Sequence, residues 1–286
     1  MTNCIEIKGL CKSYGDFALK DINLTLPGGS ILGLIGENGA GKTTTIKCIL
    51  NLIRRDAGEI SLLGYDNVKE ERLAKQDVGL VLDECFFHDT LRPKDVGKIL
   101  APAYKNWDGA LFREYLDKFG LPEKKLIKEF SRGMKMKLSL SAALAHQPKL
   151  LILDEATAGL DPVVRDEILD EFLGFIQDED HAILMSSHIT SDLEKVADYI
   201  AYIHQGQVVL SDAKDNILDS YGRVGCTAAQ LETIDPHDVL RTRRGAFGCE
   251  ALVKDRAAFS RKYPMLLVER TTLEDIMLFV GKGEAK

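Results

Sequence analysis

Three nearly uninterrupted apolar runs mark the first two thirds of the chain. They are GSILGLIG (29–36), LLILDEA (150–156) and LMSSHIT (184–190). Each predicts a buried strand of a parallel sheet, because strands covered on both faces lack the polar alternation of exposed strands. The run TTIKCILNLI (44–53) has its apolar residues at helical spacing and predicts a helix. The residues that follow the three strands are expected at one crevice, since parallel strands end at the same edge of a sheet.

The other patterns predict the remaining parts of an α/β fold. Residues 3–30 alternate and predict an antiparallel edge sheet, which the turn Pro27-Gly28-Gly29 closes. Residues 84 to about 148 lack a strand pattern and predict a helical subdomain, with helices within 91–104 and 108–120. The tail hints at strands within SYGRVGCTAAQ, FGCEALVKD and MLLVERTTLED, and TTLED predicts the capping box of a last helix. We therefore expect residues 1–212 to form one domain and residues 213–286 a small α+β appendage, with a packing, dimer-stabilising or ligand-sensing role.

Composition narrows the class of protein. A hydrophobic content of 45% with 28% charged residues allows a sizeable core, and the formal net charge of -7 argues against a binder of nucleic acid. The six cysteines form no CxxC pair, which favours reduced thiols in a cytosolic protein over a zinc site. The chain shows neither a signal-peptide pattern nor the ~20 apolar residues that a membrane helix needs. We therefore expect any membrane role to depend on a partner.

The stretch between the first strand and the helix matches a phosphate-binding loop residue for residue, as Gly36-x-x-x-x-Gly41-Lys42-Thr43. Glycines allow positive φ, so that the backbone N–H groups can turn inward, and the helix N-terminus adds partial positive charge. Lys42 can reach the β- and γ-phosphates, and the hydroxyl of Thr43 can ligate Mg²⁺. We predict that the whole loop binds a nucleotide: Gly36, Glu37, Asn38, Gly39, Ala40, Gly41, Lys42, Thr43 and Thr44.

Two carboxylates and a histidine follow the other two strands. Asp154 is predicted to hold Mg²⁺, and Glu155, one residue further on, to polarise the attacking water. His188 stands just past the third strand, where it can contact the γ-phosphate. Acidic strand ends and loop histidines are common without any function, so that the prediction depends on their expected proximity to the phosphate loop.

These motifs together resemble those of the ABC ATPases, over about residues 3–212. The resemblance is carried by FSRGMKMKLSLSAALAHQPKLLILDEATAGLD (130–161), KSYGDFALKDINL (12–24) and the loop at 36. It implies a P-loop NTPase cassette with an antiparallel β-subdomain, a RecA-like core and a helical subdomain. Tyr14 corresponds to the family's adenine-stacking aromatic residue and His188 to its switch histidine. The signature loop comprises Ser131, Arg132, Gly133 and Met134 and opens a helix to about Ala145, and the D-loop comprises Gly159, Leu160 and Asp161.

The chain departs from the family pattern at four positions. Asp83 stands where the family usually has the Q-loop glutamine, and we expect it to be an oxygen ligand of Mg²⁺, directly or through water. Arg132 and Met134 replace the commonest signature residues, glycine and glutamine, and Ala156 replaces a proline. Ser131 and Gly133, which the resemblance assigns to the phosphate, are retained. Since Lys42 and Glu155 are also present, we expect ATP hydrolysis and not mere binding.

The resemblance also implies partners. A lone cassette is incomplete, because its signature loop is expected to lie far from its own phosphate loop. A second cassette, identical or paralogous, would supply Ser131 and Gly133 in a head-to-tail dimer. A separate permease subunit would hold the protein at the cytoplasmic face of the membrane, as in exporters with ABC-2 permeases, and Phe86-Phe87 could contact it or pack internally.

Two alternatives stay open at this point, a soluble ABC ATPase acting on nucleic acid or ribosomes and a regulatory cassette. The first is disfavoured by the single cassette and by the ~90 residues without a heptad run between the phosphate loop and the signature. Glu155 disfavours the second.

Overall fold

The computed structural model describes residues 3–245 and 248–283. The strands are β1 (Asn3–Tyr14), β2 (Phe17–Pro27), β3 (Ser30–Ile35), β4 (Ala57–Leu62), β5 (Tyr65–Asp66), β6 (Val78–Val81), β7 (Leu150–Asp154), β8 (Ala182–Ser187), β9 (Tyr199–His204), β10 (Gln207–Ala213), β11 (Gly222–Cys226), β12 (Arg241–Gly245), β13 (Gly248–Val253) and β14 (Val268–Arg270). The helices are α1 (Lys42–Ile49), α2 (Glu71–Gln76), α3 (Pro93–Leu100), α4 (Gly109–Lys118), α5 (Arg132–Leu144), α6 (Pro162–Phe175), α7 (Thr190–Val196), α8 (Lys214–Ser220), α9 (Ala228–Thr233), α10 (Arg256–Lys262) and α11 (Leu273–Lys282).

A six-stranded sheet with the order β10-β9-β3-β8-β7-β6 forms the centre of the fold. All its neighbouring strands are parallel except β10, which is antiparallel to β9. Every residue of β3, β7 and β8 is buried, which confirms the three predicted apolar strands. Their carboxyl ends lie side by side, because Ile35 pairs with Ser187 and Asp154 with Ser186.

The predicted antiparallel edge sheet has the order β2-β1-β4-β5. Helix α1 packs between this sheet and the central one, with Ile46 and Ile49 in a shared apolar core. The helix ends at Ile49 and not at residue 53 as predicted, because the side-chain amide of Asn67 donates to the carbonyls of Cys48 and Ile49. Asn51 then turns the chain with a φ of 51°.

Three helices fill the predicted helical stretch between β6 and β7: α3, α4 and α5. Helix α5 belongs to two cores. Its residues Met136 and Leu140 pack against the central sheet, while Leu138 and Ala142 pack against α3 and α4. The helix therefore fixes the position of this helical layer relative to the nucleotide-binding half.

A third sheet, of order β12-β13-β11-β14, lies entirely after residue 221. Three of its strands were predicted, whereas the charged edge strand β12 was not. The last helix begins with the predicted capping box, in which Thr272 caps α11 and Asp275 bonds back to it. Within the described residues, no helix has the length and apolar character to cross a membrane. No disulfide joins any of the six cysteines, all of which lie in the described part.

Candidate nucleotide site

The phosphate-loop sequence forms an open turn between β3 and α1. Gly39 and Gly41 have φ values of 81° and 119°, in the left-handed region that glycine tolerates. A Cβ at Gly36 would lie 2.4 Å from the carbonyl oxygen of Ile203, and one at Gly41 2.6 Å from Leu19. The loop thus packs directly against β9 and β2. The backbone conformation favours glycine at Gly39 and Gly41, and the lack of space for a side chain requires it at Gly36 and Gly41.

Lys42 begins α1 and is buried, with only 6% of its side chain exposed. Its Nζ donates to the carbonyl of Gly36 at 2.8 Å and to that of Glu37 at 3.4 Å. The same atom lies 3.2 Å from Oε1 of Glu155. The ammonium group therefore crosses the loop and reaches the end of β7, where a negative phosphate group would compete with the carboxylate.

Glu155 lies immediately after β7 with a φ of 53°. Its N–H donates to Oγ and to the carbonyl oxygen of Ser186, both at 3.1 Å, which anchors the strained turn to β8. Its Oε2 lies 2.6 Å from Nδ1 of His188. The structure thus joins Lys42, Glu155 and His188 into one chain of contacts at the carboxyl ends of the strands, as the parallel arrangement predicts.

A cavity of about 620 Å³ opens above these contacts. Its lining includes Thr43, Thr44 and Asp83 from the predicted set, together with Gly39, Glu155 and His188. Asp154 lies below it, 4% exposed, and its Oδ1 accepts a hydrogen bond of 2.5 Å from Ser186. The hydroxyl of Thr43 and the carboxylates of Asp83 and Asp154 are the hard oxygen donors that Mg²⁺ selects, so that the donor set fits this ion.

The aromatic residue at the cavity differs from the predicted one. Phe17 lines the 620 Å³ cavity and a second one of about 550 Å³ beside Asn38 and Gly39. Tyr14 pairs with Phe17 across the β1–β2 hairpin and lines neither cavity. Instead Tyr14 is 46% exposed, and Nζ of Lys12 lies 5.1 Å from its ring centroid. Sequence reasoning therefore missed Phe17, although the residue lies only three positions further along.

The signature loop occupies the N-terminus of α5. Oγ of Ser131 accepts a hydrogen bond from N–H of Met134 and so caps the helix. Neither Ser131 nor Gly133 lines the cavity at the phosphate loop, which agrees with the expected separation. Arg132 does not share this separation, because its long side chain lines the cavity at the phosphate loop and its guanidinium lies against Gly159. Asp161 caps α6 by accepting from N–H of Val164 at 3.1 Å.

An apolar groove of about 290 Å³ lies on the helical side, directly after β6. Phe86 and Phe87 line it, and Phe86 is 72% exposed. His146 forms its inner wall, stacked on Tyr104 with ring centroids 3.9 Å apart. Burial lowers the pKa of His146, while its hydrogen bonds to the carbonyls of Val78 and Ala142 oppose the shift.

Fold and site together define a P-loop nucleoside triphosphatase: a phosphate loop after a central parallel strand, with two carboxylates ending a neighbouring strand. The family model "ABC transporter" matches residues 19–158. The chain is 32% identical over 221 residues to the ABC transporter ATP-binding protein YtrB of Bacillus subtilis, covering 77% of this chain and 75% of that protein. It is 35% identical over 216 residues to the bacitracin transport ATP-binding protein BcrA of Bacillus licheniformis, covering 73% and 69%.

A solved structure of the ATP-binding subunit of an ABC transporter superimposes with a TM-score of 0.69 at 28% identity, covering 75% of this chain and 91% of that one. The chain belongs to the ATP-binding proteins of ABC transporters, a family that hydrolyses ATP. The predicted fold class and the predicted ATPase function are thereby confirmed.

Proposed function

We propose that this protein powers an exporter by binding and hydrolysing ATP between two cassettes docked on a membrane permease. The observation that carries the proposal is the contact chain Lys42–Glu155–His188 at the mouth of the phosphate loop. The relative BcrA is a bacitracin transport ATP-binding protein, which supports a role in transport. Residues 1–212 would form the motor, and residues 213–286 an accessory domain.

Each residue of the contact chain has a distinct task. Lys42 would bind the β- and γ-phosphates and neutralise charge that develops during transfer. Glu155, released from Lys42, would orient the attacking water and accept its proton. His188, 2.6 Å from Glu155, would hold that carboxylate and contact the γ-phosphate. Lys42 and Glu155 form an ion pair, so that two of the groups that the reaction needs already lie together.

Mg²⁺ would be held by Thr43 with Asp154 and Asp83, either directly or through water. When bound, the ion supplies charge neutralisation for the phosphate oxygens. Ser186 already orients Asp154 through its 2.5 Å hydrogen bond to Oδ1, which leaves Oδ2 for the ion. Asp83 would replace the usual glutamine as the residue that links the nucleotide to the groove.

A second cassette would complete the site. Ser131 and Gly133 do not line their own chain's cavity, while Ser131 is exposed at the N-terminus of α5. A helix N-terminus attracts phosphate, so that this end of α5 suits the γ-phosphate of a nucleotide bound by the other cassette. Asp161 would lie at the same interface, since it is the last residue of the D-loop and caps α6.

The apolar groove at Phe86 and Phe87 would receive a helical segment of the permease. The groove adjoins Leu82 and Glu84, which flank Asp83 in the nucleotide cavity. A change at Asp83 on nucleotide binding would therefore be transmitted directly to the docked segment. At this groove the protein would be held on the cytoplasmic face of the membrane.

Affinity purification tests the proposal. Tagged Glu155→Gln protein is isolated with ATP from gently solubilised native membranes, beside the same protein carrying Phe86→Asp or the control Met265→Asp. Met265 is 91% exposed in the C-terminal part, so that its substitution controls for added surface charge. We expect a multi-helix membrane protein at near-equal stoichiometry with the parent and with Met265→Asp, but not with Phe86→Asp. Recovery of soluble partners alone would contradict the permease, and equal recovery with Phe86→Asp would contradict the groove.

A further inference from the structure

The last helix, α11, packs into the core of the nucleotide-binding half. Its residues Leu273, Ile276 and Phe279 are at most 1% exposed and join the main apolar core beside β9 and α7. Two polar contacts fix its position. The N–H of Leu273 donates to Oε1 of Glu194 on α7 at 2.7 Å, and the hydroxyl of Tyr202 on β9 donates to the carbonyl of Met277 at 3.2 Å.

The C-terminal end of α11 meets the phosphate loop. A Cβ built on Gly281 would lie 3.6 Å from Oε2 of Glu37 and 3.7 Å from the hydroxyl of Tyr202. The other carboxylate oxygen of Glu37, Oε1, lies 2.9 Å from Nδ1 of His204 at the end of β9. Glu37 thus lies between β9 and α11, with one carboxylate oxygen close to His204 and the other close to Gly281.

Glu37 is part of the nucleotide site as well. It lines both cavities beside the phosphate loop, and its own carbonyl accepts a hydrogen bond from Lys42. Burial, and secondarily the charge of Glu37, raise the pKa of Tyr202 to about 12, so that its hydroxyl keeps the proton it donates to α11. Because the carbonyl of Glu37 accepts a hydrogen bond from Lys42, a movement of Glu37 would displace the backbone that holds Lys42.

Helix α11 also contacts the C-terminal sheet. The guanidinium of Arg243 on β12 lies 5.6 Å from the ring centroid of Phe279, within cation–π range. A Cβ on Gly283 would lie 3.0 Å from Cβ of Arg241. The helix is therefore held between the third sheet and the phosphate loop, and a displacement of that sheet reaches Glu37 through one rigid element.

From these contacts we propose that α11 and His204 position the phosphate loop through Glu37, so that the C-terminal sheet sets the affinity of the site for ATP. The inference rests on the proposed ATP site and gives the C-terminal part a regulatory role. His204 and Gly281 act through Glu37 and are positioning residues, since neither lines the nucleotide cavities.

Steady-state ATPase kinetics with the full-length protein test the inference. Gly281→Leu drives a side chain toward Glu37, whereas Gly174→Leu is the matched control, because a Cβ at this other helical glycine would meet nothing within 4 Å. We expect Gly281→Leu to raise KM for ATP about 3- to 10-fold, the scale of one lost hydrogen bond, with little change in kcat. Gly174→Leu should leave both constants unchanged.

His204 provides the second arm. His204→Ala should raise KM for ATP by a similar factor, and His204→Asn should restore it, because an asparagine amide nitrogen can replace Nδ1 opposite Glu37. Thermal unfolding of each variant separates positioning from loss of fold. An unchanged KM in both Gly281→Leu and His204→Ala, with wild-type protein that hydrolyses ATP, would overturn the inference. Wild-type protein without ATP binding would instead overturn the proposed function.

Discussion

The substitution Glu155→Gln tests the contact chain at the site quantitatively. Nζ of Lys42 lies 3.2 Å from Oε1 of Glu155, and the two side chains are only 6% and 17% exposed. At an effective dielectric constant near 20, the Coulomb attraction at that distance is about 5 kcal/mol as an upper bound. Desolvation of the two charges offsets most of it, which leaves a net ~1–2 kcal/mol.

Nucleotide phosphates must displace Glu155 from Lys42, so that this net energy opposes binding. Glutamine has the same shape but no charge. Glu155→Gln should therefore bind nucleotide about tenfold more tightly, since 1.4 kcal/mol corresponds to a factor of ten. Loss of the group that orients and deprotonates water should slow hydrolysis by about 10²- to 10⁴-fold.

Isothermal titration calorimetry with ADP measures the gain in nucleotide affinity separately from dimerisation, because ADP lacks the γ-phosphate that the proposed dimer requires. Glu167→Gln is the control, since Glu167 pairs with Lys137 on α5 and lies outside the nucleotide cavity. Equal ADP affinity in Glu155→Gln and wild type would refute the competition between phosphate and Glu155. Retained turnover would assign the catalytic role to another residue.

Three further substitutions give distinct outcomes. Lys42→Ala should abolish ATP binding, measured by equilibrium dialysis, and tight residual binding would contradict the phosphate-loop assignment. Tyr202→Phe should lower the free energy of unfolding by about 1 kcal/mol in urea titrations, because it removes the hydrogen bond to Met277; an unchanged midpoint would show that this bond is not stabilising. For His146, burial lowers the folded-state pKa below the unfolded value of 6.5. Its contribution to stability is therefore complete above pH 6.5 and is lost as the pH falls through the folded-state pKa. His146→Phe, which can still stack on Tyr104, should flatten that part of the stability curve, and an identical slope would contradict the assignment.

The sequence predicts the centre of this fold well because its signals are local. A strand that is buried on both faces must be apolar throughout, and a phosphate loop requires glycines and a lysine at fixed spacing. The end of α1 was misjudged for the opposite reason. The side-chain amide of Asn67, eighteen residues beyond Ile49, donates to the last carbonyls of the helix, and no local sequence pattern predicts this contact.

The unpredicted strand β12 has the sequence RTRRG, which lacks apolar alternation. It is an edge strand, and charged side chains at an edge protect the sheet from pairing with other chains. Its pairing with β13 is therefore determined by backbone hydrogen bonds and not by a hydrophobic pattern. Such strands are the hardest to find in a sequence, because the feature that protects them also removes their signal.

The aromatic residue at the site illustrates a second limit. Tyr14 and Phe17 flank one hairpin turn, and the family pattern alone favours Tyr14. Which of them faces the cavity depends on how the edge sheet is oriented relative to the phosphate loop. Gly41 lets Phe17 approach the phosphate loop, because a Cβ there would lie 3.1 Å from the ring of Phe17. We therefore propose Phe17 as the residue that stacks on adenine in this chain: Phe17→Ala should weaken binding of a fluorescently labelled ATP analogue more than the control Tyr14→Ala does, and an equal loss in both would contradict the proposal.

The contacts of Glu37 show why regulation is less visible in a sequence than catalysis. Catalytic groups need chemistry that few residue types provide, so that Lys42 and Glu155 stand out where they occur. Coupling between two parts of a protein needs only contact. Gly281 contacts Glu37 although it lies 244 positions further along the chain, and a glycine has no distinguishing chemistry that would indicate this contact. The nucleotide site is therefore bounded on one side by β7 and β8, which supply reactive groups, and on the other by β9 and α11, which supply position. A signal that enters the C-terminal sheet can reach the second side through the contact between Gly281 and Glu37, and this route predicts effects on KM before effects on kcat.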